Sequence, residues 1–381
     1  MIASIVSTAQ THFGKDERSV GEMMLDVCNQ IINNTENLTM DSVDAIYIAN
    51  FSSSFTNQCH LPAVLASKLR TQKEITRVES ACASGGAAFK QAVIAIKSGL
   101  YKNVLVIGVE KMIDTPTDTA TAIIAQAASQ LERDCGATFP SLFALIAQRH
   151  SHEFGTGEEH LAKVAVKNHA NAFNNPFAQF HKKITLEDVM NSRVVAAPLK
   201  LLDCSPISDG AAAVLVSSPE IAPTHSESVV NLVGIGHCVD SIELTDRQRL
   251  TGMPSVITAA KKAYAMSNLD PKDINVAEIH DCFTIAELVE IEDLGFCKKG
   301  QAKDLVDEGR TEIDGDIPIN PSGGLKAKGH PIGTTGISQI VEVVNQLSGR
   351  TTYNQIGEAE YGLCCNVGGV GATAVVSIFS R

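Results

Sequence analysis

Tryptophan is absent from this 381-residue chain, and aromatic residues make up only 5 % of it. That shortage disfavours an all-β core built on rings. Alanine, glycine, valine and isoleucine must do the packing, as in close helices against β-branched strands. No apolar run reaches the ~18 residues needed to cross a bilayer, and the N-terminus MIASIVSTAQTHFGKD has no basic stretch followed by a long apolar one. No membrane span and no secretory signal are expected. The ten cysteines include no CxxC pair. Zinc-ligand spacing is therefore missing, no metal is expected, and most thiols read as free cysteines of a reducing compartment. Positive charge is also short, with 31 Lys+Arg against 43 Asp+Glu and a net charge of −12. This balance argues against nonspecific nucleic-acid binding and against anionic membrane surfaces. A phosphate-bearing ligand stays open, because a local patch or a helix N-terminus suffices for it. There is no Walker or dinucleotide motif, no Pro-rich linker and no low-complexity segment. A soluble cytoplasmic protein is expected.

What the chain does contain is an alternation of short β-branched runs and helical patterns. Strands are predicted over 2–6, 44–49, 75–78 and 103–109, with helices over 21–33, 62–69 and 83–98. This order implies a layered α/β domain around a buried mixed sheet. Residues 111–205 read as a helical insertion without clear strands, rich in His and Asn through QRHSHEFGTGEEHLAKVAVKNHANAFNNP. Strand patterns return at 211–216, 229–235 and 276–279, and helices at 254–266, 283–294 and 337–347. Two closing strands are predicted at 361–365 and 372–379. Gly86–Gly99 (GAAFKQAVIAIKSG) and Gly336–Gly349 (GISQIVEVVNQLSG) echo each other, which suggests two similar halves packed together. The division expected is residues 1–110 plus 206–217, an inserted unit 111–205, and 218–381.

Four stretches carry chemistry. In ESACASGGAAF, Cys82 stands at a strand-to-helix junction, where a helix dipole favours thiolate and small neighbours admit a ligand. It could equally pack as a small apolar residue. In NPSGGLKAKGHPIG, His330 lies between Gly329 and Pro331. The proline extends its backbone and aims its ring, and a neutral imidazole near a thiol can take its proton. In EIHDCFT, His280 ends a buried-looking strand, and strand C-termini face ligand crevices. Asp281 could be only a helix cap, and Cys282 only core. In LCCNVGGVG, Cys364 and Cys365 should point to opposite faces, so one of them at most faces the site. The glycines there permit a tight turn and close approach.

Together and in this order, these stretches resemble the thiolase family over essentially the whole chain. ESACASGGAAF is similar to the nucleophilic-cysteine segment, and NPSGGLKAKGHPIGTTG to the catalytic-histidine segment. HDCF replaces the Asn-Glu-Ala-Phe of many thiolases. With KNHANAFNNPFAQF and LLDCSPISDGAAAVL it resembles the archaeal and sterol-carrier-protein-type branch. The resemblance implies an α/β thiolase fold of two halves stacked as α-β-α-β-α layers, with a helical loop domain. It implies acyl transfer between CoA thioesters: condensation of acetyl-CoA, or thiolysis of a 3-ketoacyl-CoA. Cys82 would be the nucleophile, His330 its base, His280 an enolate-stabilising group and Cys365 the second base. Gly369 with the Cys82 backbone would form an oxyanion hole. CoA would lie under the insertion and against Ser322, Gly323 and Gly324. No tightly bound cofactor is implied. A homodimer or homotetramer is, and OB-fold and HMG-CoA-synthase-like partners are further associations. Transfer to a non-CoA acceptor, or service as one subunit of a multi-protein complex, are the alternatives.

Overall fold

The computed structural model describes residues 1–226 and 228–381. Its strands are β1 (Ala3–Gln10), β2 (Ala45–Ala49), β3 (Glu74–Val78), β4 (Asn103–Glu110), β5 (Val194–Ala196), β6 (Leu199–Lys200), β7 (Gly210–Ser217), β8 (Val230–Val239), β9 (Val276–Glu278), β10 (Tyr361–Gly368) and β11 (Thr373–Ser380). The helices are α1 (Val20–Asn33), α2 (Leu61–Leu69), α3 (Ser84–Lys97), α4 (Thr117–Ala125), α5 (Gln130–Asp134), α6 (Phe139–Phe154), α7 (Glu158–Ala172), α8 (Leu186–Met190), α9 (Pro254–Ser267), α10 (Thr284–Asp293), α11 (Ala302–Asp307) and α12 (Thr335–Ser348).

Nine strands hydrogen-bond in the order β3-β2-β4-β7-β1-β8-β11-β10-β9. The run is two halves joined at one seam. β1 pairs along its length with β7, but meets β8 only at Ala3–Leu232, Ser4–Asn231 and Ile5–Val230. β4 and β7 are buried at every position, which explains their unbroken apolar runs.

Three apolar layers separate the elements. Val6, Leu105, Ile107, Ala213 and Leu215 face one way, onto Met23, Met24 and Val27 of α1. The alternate residues Val104, Val106, Val214 and Val216 turn inward, with Val375 and Phe379 of the other half, onto Ala88, Phe89, Ile337 and Val341. Leu363, Cys365, Val376 and Ile378 face out of the second half onto Val256, Ile285 and Val289 of α9 and α10. Helices α3 and α12 are thus the shared middle layer of an α-β-α-β-α stack.

The echo between Gly86 and Gly336 now has a physical cause. The N-termini of α3 and α12 cross in direct backbone contact. A Cβ on Gly85 would stand 2.8 Å from Gly336 Cα, and one on Gly336 would stand 2.6 Å from Gly86 N. Only glycine permits that approach. The insertion is helical as expected, with one addition: β5 and β6 form a short hairpin. Helix α11 and the single wide turn Gly324–Lys328 were not predicted, being too short to show a period. Among the described residues no helix is long and apolar enough to cross a membrane.

Candidate active site

Cys82 sits on a turn that the chain must strain to make. Ala81, immediately before it, has φ +51, a left-handed value uncommon for a residue with a Cβ. Ser84 holds the turn: its hydroxyl accepts from Ser80 N–H (2.8 Å) and donates to Ala81 O (2.6 Å). Helix α3 then begins at Ser84, which leaves the thiol at its mouth.

His330 arrives from the other half. Its backbone N–H donates to Ser208 Oγ (2.9 Å), and it bridges Ile207 alongside. His280 follows β9, and its N–H donates to Glu290 Oε2 (2.9 Å) on α10. The side-chain donor atoms of Cys82, His280 and His330 all lie within 4.8 Å of one another. The rings stand edge to face, with centroids 5.1 Å apart and 87° between planes. That spacing would also suit a soft cation, using the same atoms that acyl chemistry would need.

The ring of His330 is fixed by Thr335. Nδ1 lies 2.7 Å from Thr335 Oγ1, and that hydroxyl donates to Pro331 O (3.2 Å). Nδ1 must therefore carry the hydrogen, which leaves Nε2 as the bare nitrogen. Burial pushes His330 down to about 3 and His280 well below the usual imidazole range, the latter further depressed by His330. Both rings are neutral. Burial also pushes the Cys82 thiol up to about 12, although the backbone N–H groups of Gly369 and Cys82 pull the other way. The expected thiolate is therefore corrected: the site rests as thiol and imidazole.

Cys82, His330 and Gly369 line a cavity of about 170 Å³, closed by Ile332, Phe283 and Met112. Its outer wall comes from the insertion, through Ile124, Phe139 and Pro140, and from Cys204–Ile207. Cys282 also lines it, and ionised Cys82 would raise the pKa of Cys282 further. Four expected residues lie elsewhere. Cys365 is fully buried on the outward face of β10 and hydrogen-bonds Glu290. The inward positions of that strand are Cys364 and Asn366, because side chains alternate. Ser322 is also sealed: its N–H and hydroxyl both go to Glu278 (3.0 and 2.8 Å). Gly323 packs on Ala172 and Gly324 on Asp281, so this turn is scaffold and offers CoA no surface.

The Asn-rich insertion explains how that scaffold is held. Asn168 donates to Asp281 and Glu287, Asn171 to Asn320 O, and Asn175 to Ser322 O. Asp281 in turn accepts from Leu325 and Lys326 N–H (2.7 and 3.2 Å). It caps the turn that leads to His330, instead of helix α10.

The family model "Thiolase, N-terminal domain" matches residues 3–220, and "Thiolase C-terminal domain-like" matches 236–381. The chain belongs to the thiolase family. Acetyl-CoA acetyltransferase of Methanothermobacter thermautotrophicus is 47 % identical over 89 % of this chain and 89 % of its own. Sterol carrier protein 2 of Rattus norvegicus is 35 % identical over 84 % of this chain and 61 % of its own. These two relatives bear out the archaeal and sterol-carrier-type branch. Among solved structures, "Ltp2-ChsH2(DUF35) aldolase" superposes with a TM-score of 0.85 at 27 % identity, covering 98 % of this chain and 97 % of that one. This thiolase is an acyltransferase. Cys282, Thr335 and Asn366 are the site residues that sequence reasoning missed. HDCF did draw attention to position 282, but nothing in it separates a core thiol from a cavity thiol.

Proposed function

We propose that this thiolase moves short acyl groups between CoA thioesters through an acyl-Cys82 intermediate, condensing two acetyl-CoA molecules or cleaving a 3-ketoacyl-CoA. The observation that supports it most is the convergence of Cys82, His280 and His330 within 4.8 Å, with Cys82 and His330 lining an apolar cavity. Its relatives named acetyl-CoA acetyltransferase point to the same substrate.

Cys82 sulfur attacks the thioester carbonyl while its proton passes to His330 Nε2. The Gly369 and Cys82 N–H groups stabilise the oxyanion, a donor of this kind being worth roughly 3–4 kcal/mol. The C–S bond to CoA breaks, and His330 returns the proton to the departing thiolate. A second acyl-CoA then loses an α-proton. Cys282 takes it, in place of Cys365, because it is the thiol that shares the cavity with His330; its own proton passes first to the bare His330 Nε2, so the base is the Cys282 thiolate. The enolate oxygen is held by the N–H of His280 and by His330, now protonated at Nε2; its carbon attacks the acyl-Cys82 carbonyl, the C–S bond breaks, and His330 returns the proton to the departing Cys82 sulfur. CoA enters past the insertion walls and contacts no part of the sealed 322–324 turn.

A second reading draws support from the DUF35 component that the structural neighbour "Ltp2-ChsH2(DUF35) aldolase" carries in its name. In it, the chain works within a larger acyltransferase, with an OB-fold and a synthase-like partner, and not only as a homo-oligomer. Mass spectrometry after exposure to acetyl-CoA tests the core of the proposal. One acetyl group on Cys82 is expected, with none on Cys82→Ala. Acetylation and thiolysis surviving in that variant would refute it.

A further inference from the structure

Asn366 is 2 % exposed and lies between the N-termini of α3 and α12. Its Oδ1 accepts from Gly86 N–H at 2.9 Å. Its Nδ2 donates to Cys82 O at 3.0 Å and stands 3.3 Å from His280 Nδ1. The two backbone partners fix which end of the amide is which. Turning it over would set oxygen against the Cys82 carbonyl and NH₂ against the Gly86 N–H. One Nδ2 hydrogen goes to Cys82, so the other faces His280 and needs a lone pair there.

We propose that Asn366 is a positioning residue that locks His280 in the Nε2–H tautomer, making this imidazole a hydrogen-bond donor to the substrate oxygen and not a proton acceptor. The part played by that oxygen rests on the acyl-CoA function proposed above. The lock itself rests on geometry alone. His330 is held the other way round, with Nδ1–H on Thr335 and Nε2 bare. The two rings thus stand beside Cys82 with unlike free nitrogens: a lone pair for the Cys82 proton, and an N–H for the developing enolate. Placement of His280 is a separate matter, because Glu290 already holds its backbone N–H. Asn366 adds the choice of tautomer. Through the Cys82 carbonyl it also ties that choice to the nucleophile's own turn.

Long-range ¹H–¹⁵N correlation spectra of ¹⁵N-histidine-labelled protein read this directly, with His280→Gln identifying the resonance. The expected spectrum shows Nδ1 as the bare nitrogen of His280. A protonated Nδ1 overturns the proposal, and this measurement needs no Asn366 variant. In Asn366→Asp the carboxylate can only accept from His280, so the proton should move to Nδ1. Condensation should then fall about 10²-fold, the typical effect of losing one oxyanion donor, and by more than Cys82 acetylation falls. Asn366→Ser, which can donate or accept, should give mixed tautomers and an intermediate loss. An unchanged tautomer in Asn366→Asp, or equal loss of acetylation and condensation, would sink the idea. Absence of acetyl-Cys82 in the wild type would count against the acyl-CoA function and leave the tautomer result standing.

Discussion

Thr335→Val tests how the base is made. Valine keeps the shape of threonine but offers no acceptor to His330 Nδ1, which now lies 2.7 Å from the hydroxyl. A buried N–H left without a partner costs about 1–3 kcal/mol. The ring can escape that cost by moving its hydrogen to Nε2. It then points a hydrogen at the Cys82 thiol and cannot take its proton. Either way the competent tautomer is disfavoured by about 1–3 kcal/mol, and each 1.36 kcal/mol is tenfold in rate. Cys82 acetylation by acetyl-CoA should therefore slow about 10- to 100-fold, followed by rapid quench and intact-protein mass. Thr335→Ser should stay within a few-fold of wild type. A folded Thr335→Val protein acetylating at the wild-type rate would refute the tautomer argument for His330.

Three further outcomes are expected. Cys282→Ala should slow condensation by about 10²-fold or more, the usual contribution of a positioned base, while sparing Cys82 acetylation; Cys365→Ala should act on stability instead, read as a fall in Tm. The pre-steady-state acetylation rate should be flat between pH 5 and 8. His330 stays neutral down to about 3 and the Cys82 thiol stays protonated up to about 12, so neither partner changes state in that window; an inflection near 6.5 would mean an ordinary exposed histidine. Gly336→Ala should cost several kcal/mol or prevent folding, since its Cβ would fall 2.2 Å from Asn366 Oδ1 and 2.6 Å from Gly86 N, beyond the ~1–3 kcal/mol of ordinary overpacking; denaturant unfolding at near-native stability would contradict the crossing described for α3 and α12.

Most of the architecture is legible because its periods are long and regular. β4 and β7 are apolar at nearly every position, and α3 and α12 each run 14 residues. The site was legible where side-chain chemistry is unusual in its setting, as at Cys82 and in Gly329-His330-Pro331. What stayed hidden depends on which face of a strand looks inward. LCCN offers a thiol at 365 and an amide at 366, and composition favours the thiol as the functional group. The inward face belongs to Asn366, because β10 pairs with β9 and β11 in a register that local sequence does not specify. Ser322 misled for a related reason. A Ser-Gly-Gly turn looks open to ligand, but Glu278, 44 residues away, accepts from both the N–H and the hydroxyl of Ser322.

The thiolate expected at Cys82 fails on magnitude. A helix N-terminus stabilises an anion by about 0.3–1 kcal/mol, rising to about 2 in partly buried geometries. Burial lifts the thiol from 9.0 to about 12, and three pKa units correspond to about 4 kcal/mol at 1.36 each. Desolvation therefore wins, with the buried carboxyl of Glu110 and the exposed one of Glu79 both acting in the same upward direction. An imidazole held near 3 opposes charge separation from the other side. Cys82 and His330 thus have no stable ion-pair state at rest. In the mechanism proposed above, the proton leaves sulfur as negative charge flows onward to an oxygen received by the Gly369 and Cys82 N–H groups. The same burial that makes the free thiol inert makes those donors strong, since an electrostatic contact gains in a low-dielectric setting. Reactivity is therefore conditional on the substrate carbonyl being present, and the fold delivers that condition by closing α3 and α12 together at Gly85 and Gly336.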